Sequence, residues 1–255
     1  MLQVTESNYF SPEVESEYMG ASQFKNFMDC EARTLAELKG EWTRQSKDAF
    51  MEGNFVEAYF EGNLDKFKEE NPGMISSQGA TKGQLKANYK HLYDVIKVGE
   101  SDSLFMEYMQ GEPQVIKTGE IAGVPFKIKI DRLHPDRIVD LKVMRDFNKQ
   151  WKDGKYHNFI EYWGYDIQGA IYQKVEGGNK PFYIDGLTKE KYPDKAVIKI
   201  TQDYLDMAME KVVEFAPYFK MLKDGVFEPK FCGKCDYCKS VKKLDRVIEI
   251  GELDG

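Results

Sequence analysis

Two aspartates and a lysine stand among the apolar positions of two predicted strands in the stretch IKIDRLHPDRIVDLKVM, at residues 128–144. Asp131, Asp140 and Lys142 occupy positions where Val, Ile or Leu would stabilise a pair of strands better. Carboxylates held side by side repel each other, unless a cation lies between them. Oxygen ligands of this kind suit Mg²⁺ or Mn²⁺, which also bind the phosphate oxygens of a substrate. The stretch therefore indicates metal-dependent chemistry on a phosphate ester.

The geometry of this stretch follows from its central turn. The residues of HPDR are typical of a turn. A four-residue loop sets Leu133 opposite Ile138 and Asp131 opposite Asp140, with the Cβ atoms of each pair about 5 Å apart. Lys142 shares a face of its strand with Asp140. Its ammonium can then orient a water, help to deprotonate it, or offset charge on a phosphate. A surface hairpin in which Asp140 and Lys142 are solvated is the alternative, since D-x-K is a common triplet.

The elements that must position these residues can be predicted from the period of the apolar positions. A spacing of three and four residues predicts helices over 22–38, with Ser22 as N-cap, over 48–62, 83–98 and 157–175, and from about Gln202 onward with a kink at Pro217. Runs of β-branched and aromatic residues predict strands within 114–133, 137–144, 181–188 and 195–201. This order predicts an α/β fold in which a mixed central β-sheet is flanked by helices and preceded by a helical N-terminal segment.

The composition is that of a globular protein, since 42% of the 255 residues are hydrophobic and 13% are aromatic. We expect one domain over 1–255, with a helical part at 1–110, the sheet and its helix at 111–201, and a C-terminal helix with a cysteine-rich tail at 202–255. No apolar run approaches the roughly 18 residues of a membrane span. The N-terminus lacks the basic start and apolar core of a secretory signal. We therefore expect a cytoplasmic protein without a membrane partner.

The net charge and the aromatic residues bear on the choice of partner. A formal charge of −7 excludes broad, non-specific coating of nucleic acid. It does not exclude an enzyme that acts on nucleic acid, because a metal-binding cleft needs carboxylates. Aromatic residues such as Trp151, Tyr162 and Trp163 are expected in the core rather than on a base-stacking surface.

Asp131 followed by the D-x-K of Asp140 and Lys142 resembles the metal-binding core of the PD-(D/E)xK nuclease superfamily. The sequence looks closest to the RecB-like branch, and within it to phage exonucleases of the exodeoxyribonuclease VIII type, although the literal proline before Asp131 is absent. Downstream, Gln168 and Tyr172 lie four residues apart, on one face of a predicted helix. They match the Q-x-x-x-Y signature of RecB-like nucleases, which places both side chains beside the catalytic lysine and the DNA backbone.

The resemblance implies a role for each residue. Asp131, Asp140 and the backbone carbonyl of Leu141 would hold one or two Mg²⁺ (or Mn²⁺), and Lys142 would activate a water. The segment GNFVEAYFEG resembles the helix in which many relatives carry a metal-ligating histidine. Glu57 stands there in this chain, as a third metal ligand or, alternatively, as a solvated side chain.

The implied function is that of a metal-dependent deoxyribonuclease, an exonuclease working from duplex DNA ends in phage-type homologous recombination. Such enzymes act beside a single-strand annealing recombinase and often assemble into homo-oligomers, in the cytoplasm of a bacterium or a phage-infected cell. Two alternatives remain from the sequence. One is a catalytically weak DNA-binding or scaffold subunit that keeps the nuclease fold, and the other is a sequence-specific endonuclease.

The four cysteines form a second candidate site. Cys232, Cys235 and Cys238 in CGKCDYC have a spacing that, in a cytosolic chain, favours metal binding over disulfides. The other cysteine is Cys30, and its surroundings resemble the first-cysteine segment of RecB-like nucleases with iron–sulfur clusters. The resemblance implies a [4Fe–4S] cluster that ties the first helix to the C-terminal tail. A Cys₄ zinc site needs the same residues, and a third possibility leaves Cys30 as a buried free thiol.

Overall fold

The computed structural model of this chain describes residues 2–44, 48–152, 154–244, 246–247 and 249–250. Its strands are β1 (Glu112–Ile121), β2 (Val124–Leu133), β3 (Ile138–Met144), β4 (Gln150–Lys152), β5 (Lys155–His157), β6 (Phe182–Thr188) and β7 (Lys195–Ile200). Its α-helices are α1 (Pro12–Glu17), α2 (Ala21–Asp29), α3 (Glu31–Leu38), α4 (Asp48–Phe60), α5 (Leu64–Glu70), α6 (Ala87–Glu100), α7 (Ser103–Tyr108), α8 (Phe159–Trp163), α9 (Tyr165–Glu176), α10 (Gln202–Lys223) and α11 (Asp236–Val241).

The main sheet has five strands in the order β1-β2-β3-β6-β7. β3 and β6 run parallel, and the other neighbouring strands are antiparallel. A parallel pair needs a long crossover, and here the crossover contains α8, α9 and the separate two-stranded hairpin β4–β5. The predicted mixed sheet flanked by helices is confirmed.

Helices cover both faces of the sheet, so β3 is buried on both sides. One hydrophobic core joins the sheet to α2, α9 and α10 and includes Ile138 of β3, while the other joins it to α4, α6 and α7 and includes Leu141. A strand in this position is expected to be almost wholly apolar. A charged group on β3 therefore costs free energy unless it finds hydrogen-bond or ionic partners.

The helix predicted over 22–38 is two helices, because the backbone is extended at Cys30 (φ −162°, ψ 109°). The break frees the backbone N–H of Ala32, which donates to the carbonyl oxygen of Lys230 in the C-terminal tail at 3.1 Å. The N-cap prediction was also wrong, since Gly20 and not Ser22 precedes the first turn of α2. Contact with the tail, which periodicity does not reveal, thus decides the shape of this segment.

Other helix boundaries also differ from prediction. The segment 157–175 is interrupted at Gly164, whose positive φ of 63° separates α8 from α9. The helix predicted from residue 83 begins at Ala87, because Leu85 pairs with Ile75 instead. α10 begins at Gln202 as predicted and continues through Pro217. No helix among the described residues has the length and apolar character needed to cross a membrane.

Candidate active site and cysteine cluster

β2 and β3 form a short antiparallel ladder beside the turn that connects them. Leu133 pairs with Ile138, which confirms the predicted register. The ladder extends by one more pair and ends before it reaches Asp131 and Asp140, which the same register sets opposite each other. The backbone hydrogen bonds therefore stop where the two carboxylates begin.

Asp131 lies at an irregularity of β2. Its Oδ2 accepts a hydrogen bond of 2.9 Å from the backbone N–H of Leu141, so a side chain replaces the backbone in joining β2 to β3. Ile130 and Leu133 pack against the same core, whereas regular alternation predicts opposite faces. Opposite Asp131 on β1, Gln114 has a positive φ of 53°, a conformation that is uncommon for residues other than glycine. The prediction of regular, alternating strands fails at this point.

Asp140 is 1% exposed and is held from two sides. The side-chain amide of Gln168 on α9 donates to its Oδ1 at 2.6 Å. The ammonium of Lys142 forms an ion pair with its Oδ2 and lies 3.4 Å from the carbonyl oxygen of Leu141. These contacts offset the burial of the carboxylate inside the sheet.

Tyr172 lies one turn after Gln168 on α9 and is also buried. Its hydroxyl donates to the backbone carbonyl of Lys129 on β2 at 2.9 Å. The resemblance implied that both residues flank the catalytic lysine. In the structure, Gln168 contacts Asp140, and Tyr172 contacts the strand that carries Asp131. The Q-x-x-x-Y pair thus fastens α9 to both strands of the hairpin.

A cavity of about 340 Å³ opens onto these side chains. Its lining includes all the residues that the sequence singled out as catalytic or as ligands of a divalent ion: Glu57, Asp131, Asp140, Leu141, Lys142, Gln168 and Tyr172. Glu57 enters from α4, and its Oε1 accepts a hydrogen bond of 3.0 Å from the side chain of Gln114. The carboxylates of Glu57, Asp131 and Asp140 are not all within 4.8 Å of one another. At least two of these three carboxylates are therefore farther apart than this limit.

The site concentrates negative charge around one ammonium group. Burial raises the pKa of Asp131 well above its usual value, and the charges of Asp140 and Glu57 raise it further. Burial opposes the charge on Lys142, but Asp140 and Asp131 outweigh that effect and raise its pKa. A second cation near these carboxylates would relieve their repulsion.

The donor atoms fit a hard divalent cation. Asp131, Asp140 and Leu141 line the cavity, and their carboxylate and carbonyl groups offer oxygen, the ligand that Mg²⁺ and Mn²⁺ prefer. The ammonium of Lys142 already contacts Oδ2 of Asp140 and the carbonyl of Leu141 together. Two of the three expected ligands therefore converge on a single positive group.

Lys25 on α2 is a residue of the cavity that the sequence did not single out. It donates to the backbone carbonyl of Trp163 at 3.2 Å and lies 5.5 Å from the ring centre of Tyr165, another lining residue. Burial and, to a smaller extent, the charge of Lys142 lower the pKa of Lys25 to about 8. Only the packing of α2 against α9 brings this lysine to the site, so no local pattern could have indicated it.

The four cysteine sulfurs form one compact group among the described residues, all within 4.8 Å of one another. Cys30 Sγ lies 3.5 Å from Cys238 Sγ and 3.8 Å from Cys235 Sγ, and Cys232 Sγ lies 3.8 Å from Cys238 Sγ. Burial opposes the thiolate of Cys232, but hydrogen bonds from backbone N–H groups prevail and lower its pKa to about 6. The predicted meeting of the N-terminal cysteine with the C-terminal three is observed, and the group could bind a metal.

Comparison with known families and structures agrees with this architecture. A family model described as a PDDEXK-like domain of unknown function (DUF3799) matches residues 20–241. The chain belongs to this family. The match to the PDDEXK-like domain includes the cavity residues and all four cysteines.

Solved structures give a second comparison for this PDDEXK-like chain. One of them is the crystal structure of a protein from Eubacterium rectale described as a "putative exonuclease". Its sequence is 41% identical to this chain, and the alignment covers 99% of this chain and 98% of the other chain. The two structures superpose with a TM-score of 0.92. The crystal structure of SSO0001 is 13% identical in sequence over 84% of this chain and 95% of the other chain, with a TM-score of 0.33. No curated protein sequence matches the chain.

Proposed function

We propose that this PDDEXK-like chain is a metal-dependent DNA exonuclease that hydrolyses phosphodiester bonds from duplex ends. The observation that carries the proposal is the convergence of Asp131, Asp140 and Lys142 on one cavity, beside a central strand, β3, whose other residues are all apolar. A structural role alone would not favour two carboxylates at this position, because apolar residues of similar size would stabilise the sheet better.

Each side chain has a distinct part in this proposal. Asp131, Asp140 and the carbonyl of Leu141 would hold Mg²⁺ (or Mn²⁺), with Glu57 as a third carboxylate ligand. A divalent ion in such a site acts as a Lewis acid on the phosphate and lowers the pKa of water. Lys142 would then turn its ammonium from Asp140 to the phosphate or the attacking water and offset the charge that develops in the transition state.

Gln168 and Tyr172 serve as positioning residues in the same proposal. Gln168 fixes the rotation of the Asp140 carboxylate through Oδ1 and leaves Oδ2 for a cation. Tyr172 fixes β2 through the Lys129 carbonyl, and thereby the distance between the two aspartate-bearing strands. Holding the donors in place before the substrate binds lowers the reorganisation that catalysis requires.

Similarity over the full chain to a protein described as a "putative exonuclease" supports attack at DNA ends. A role in phage recombination, an annealing recombinase as partner, a homo-oligomer and a cytoplasmic location stay predictions from the resemblance.

We propose further that the four cysteines hold a metal centre that joins the start of the domain to its tail. Four sulfurs around one tetrahedral ion at a metal–sulfur distance of about 2.3 Å lie about 3.8 Å apart, which matches the observed separations and supports zinc. In a [4Fe–4S] cluster each cysteine binds a different iron, so the sulfurs would have to move apart. The family resemblance supports the cluster, and metal analysis with the visible absorption spectrum decides between the two.

The nuclease proposal is tested by cleavage of an end-labelled linear duplex and of a covalently closed circle, each with Mg²⁺. The wild type is expected to degrade the linear duplex alone, and Lys142→Ala and Asp140→Asn to be about a hundredfold slower or worse. Lys66→Ala, at a lysine that is 75% exposed on α5, is the matched control and should cleave normally. Cutting of the circle would indicate an endonuclease instead. Equal cleavage by wild type and Lys142→Ala, or none by the wild type, contradicts the proposal.

A further inference from the structure

The hairpin β4–β5 exposes two large aromatic side chains, one of which, Trp151, was expected in the core. Trp151 is 60% exposed and Tyr156 is 68% exposed. The two residues pair across the strands, with ring centres 4.9 Å apart in an edge-to-face arrangement. Trp163 in the neighbouring helix α8 is 52% exposed. Neighbouring exposed aromatic side chains of this size usually mark a binding surface.

The same hairpin is positively charged within an acidic protein. Lys152 and Lys155 pair directly across the two strands, and like charges in this arrangement destabilise a hairpin. Lys149 precedes the hairpin, and none of the three lysines forms an ion pair with another residue that the structure describes. An anion bound between the opposed lysines would relieve their repulsion.

The position of the hairpin connects it to the candidate active site. It follows β3, which carries Lys142, and precedes α9, which carries Gln168. It packs against α8, whose last residue, Trp163, accepts the hydrogen bond from Lys25 of the cavity. A three-residue pair of strands has little stability of its own, so its packing against α8 helps to hold it in place.

We infer that the β4–β5 hairpin binds the single-stranded end of a DNA substrate as it enters the cavity. Unpaired bases would stack on Trp151 and Tyr156, and the phosphates between them would bind Lys152 and Lys155. A single strand fits better than a duplex, because aromatic side chains reach base faces that are not stacked inside a helix. The inference rests on the proposed nuclease function and specifies the form of its substrate.

The test is the affinity for a fluorescent, single-stranded phosphorothioate oligonucleotide that resists cleavage, measured by anisotropy. Trp151→Ala should bind about tenfold or more weakly. Tyr192→Ala is the matched control, since Tyr192 is 80% exposed between β6 and β7, and it should bind like the wild type. In the double variant Lys152→Ala/Lys155→Ala, the slope of log affinity against log salt should fall by about 1.4, and arginine at both positions should restore it.

The lysine variants leave the aromatic pair in place. If Trp151→Ala does not fold, the salt dependence of binding in these variants still tests the inference. Unchanged affinity and salt slope in all hairpin variants would overturn the inference. So would a Trp151→Ala protein that binds the oligonucleotide normally but changes its oligomeric state in sedimentation, because the surface would then join two copies of the chain. Binding needs no cleavage. Hairpin-dependent binding by a wild type that does not cut DNA therefore supports this inference while contradicting the nuclease.

Discussion

Asp185 on β6 is a buried carboxyl group outside the candidate active site. It is fully buried, and neither of its oxygens has a hydrogen-bond partner among the described residues. Burial, with a smaller contribution from the nearby charge of Asp102, raises its pKa from 3.8 to about 8. We predict that Asp185→Asn, which keeps the shape and removes the ionisation, changes how stability depends on pH.

The sign and size follow from proton linkage. Between pH 3.8 and pH 8 the folded protein keeps a proton on Asp185 that the unfolded chain has lost, so the free energy of unfolding falls as pH rises. The loss is about 1.4 kcal/mol per pH unit within this window, or roughly 4 kcal/mol between pH 5 and pH 8. Asparagine does not ionise, so Asp185→Asn removes this loss. Between pH 5 and pH 8, the free energy of unfolding of the variant should therefore rise by the same amount relative to that of the wild type.

Urea unfolding of both proteins at intervals from pH 5 to pH 8 measures this difference, and the other titrating groups cancel in the comparison. Asp65→Asn, at an aspartate whose side chain is 95% exposed, is the control and should follow the wild type. Parallel stability curves for the wild type and Asp185→Asn would refute the reasoning, because Asp185 would then ionise in the fold as it does in the unfolded chain.

The remaining predictions concern the cysteine cluster, the core and the helix that carries Gln168. Cys238→Ser should lose bound metal by elemental analysis and lower the melting temperature, and full metal content would contradict the cluster. Gly169→Ala should cost about 1–3 kcal/mol in urea unfolding, because its Cβ would lie 2.7 Å from the Phe182 ring; unchanged stability would contradict this packing. Tyr172→Phe should cost about 1–3 kcal/mol by leaving the Lys129 carbonyl unpaired, and a stability equal to the wild type would show that this bond contributes little.

The sequence was sufficient for features that local chemistry decides. The register of the hairpin follows from a four-residue turn, so the pairing of Leu133 with Ile138 could be foreseen. The spacing of Gln168 and Tyr172 correctly placed both on the face of α9 that meets the hairpin. Here the periodicity and the turn residues agree with the tertiary structure.

Features that depend on distant segments could not be foreseen. The extended backbone at Cys30 forms where the C-terminal tail supplies a hydrogen-bond partner through Lys230. The exposure of Trp151 follows from a hairpin that stands apart from the main sheet. Lys25 reaches the cavity only through the packing of α2 against α9. Local sequence patterns contain no information on these contacts. They therefore predicted a continuous helix through Cys30 and a buried Trp151, and they gave no role to Lys25.

The most direct test of the central claim is calorimetric titration of Mn²⁺ into the wild type and into Asp140→Asn, in the absence of DNA. If Asp131 and Asp140 share a divalent ion, the wild type binds Mn²⁺, and the variant, which has lost one of the two charges, binds it at least tenfold more weakly. Equal Mn²⁺ affinity in the two proteins would contradict the claim that this pair of carboxylates forms the metal site.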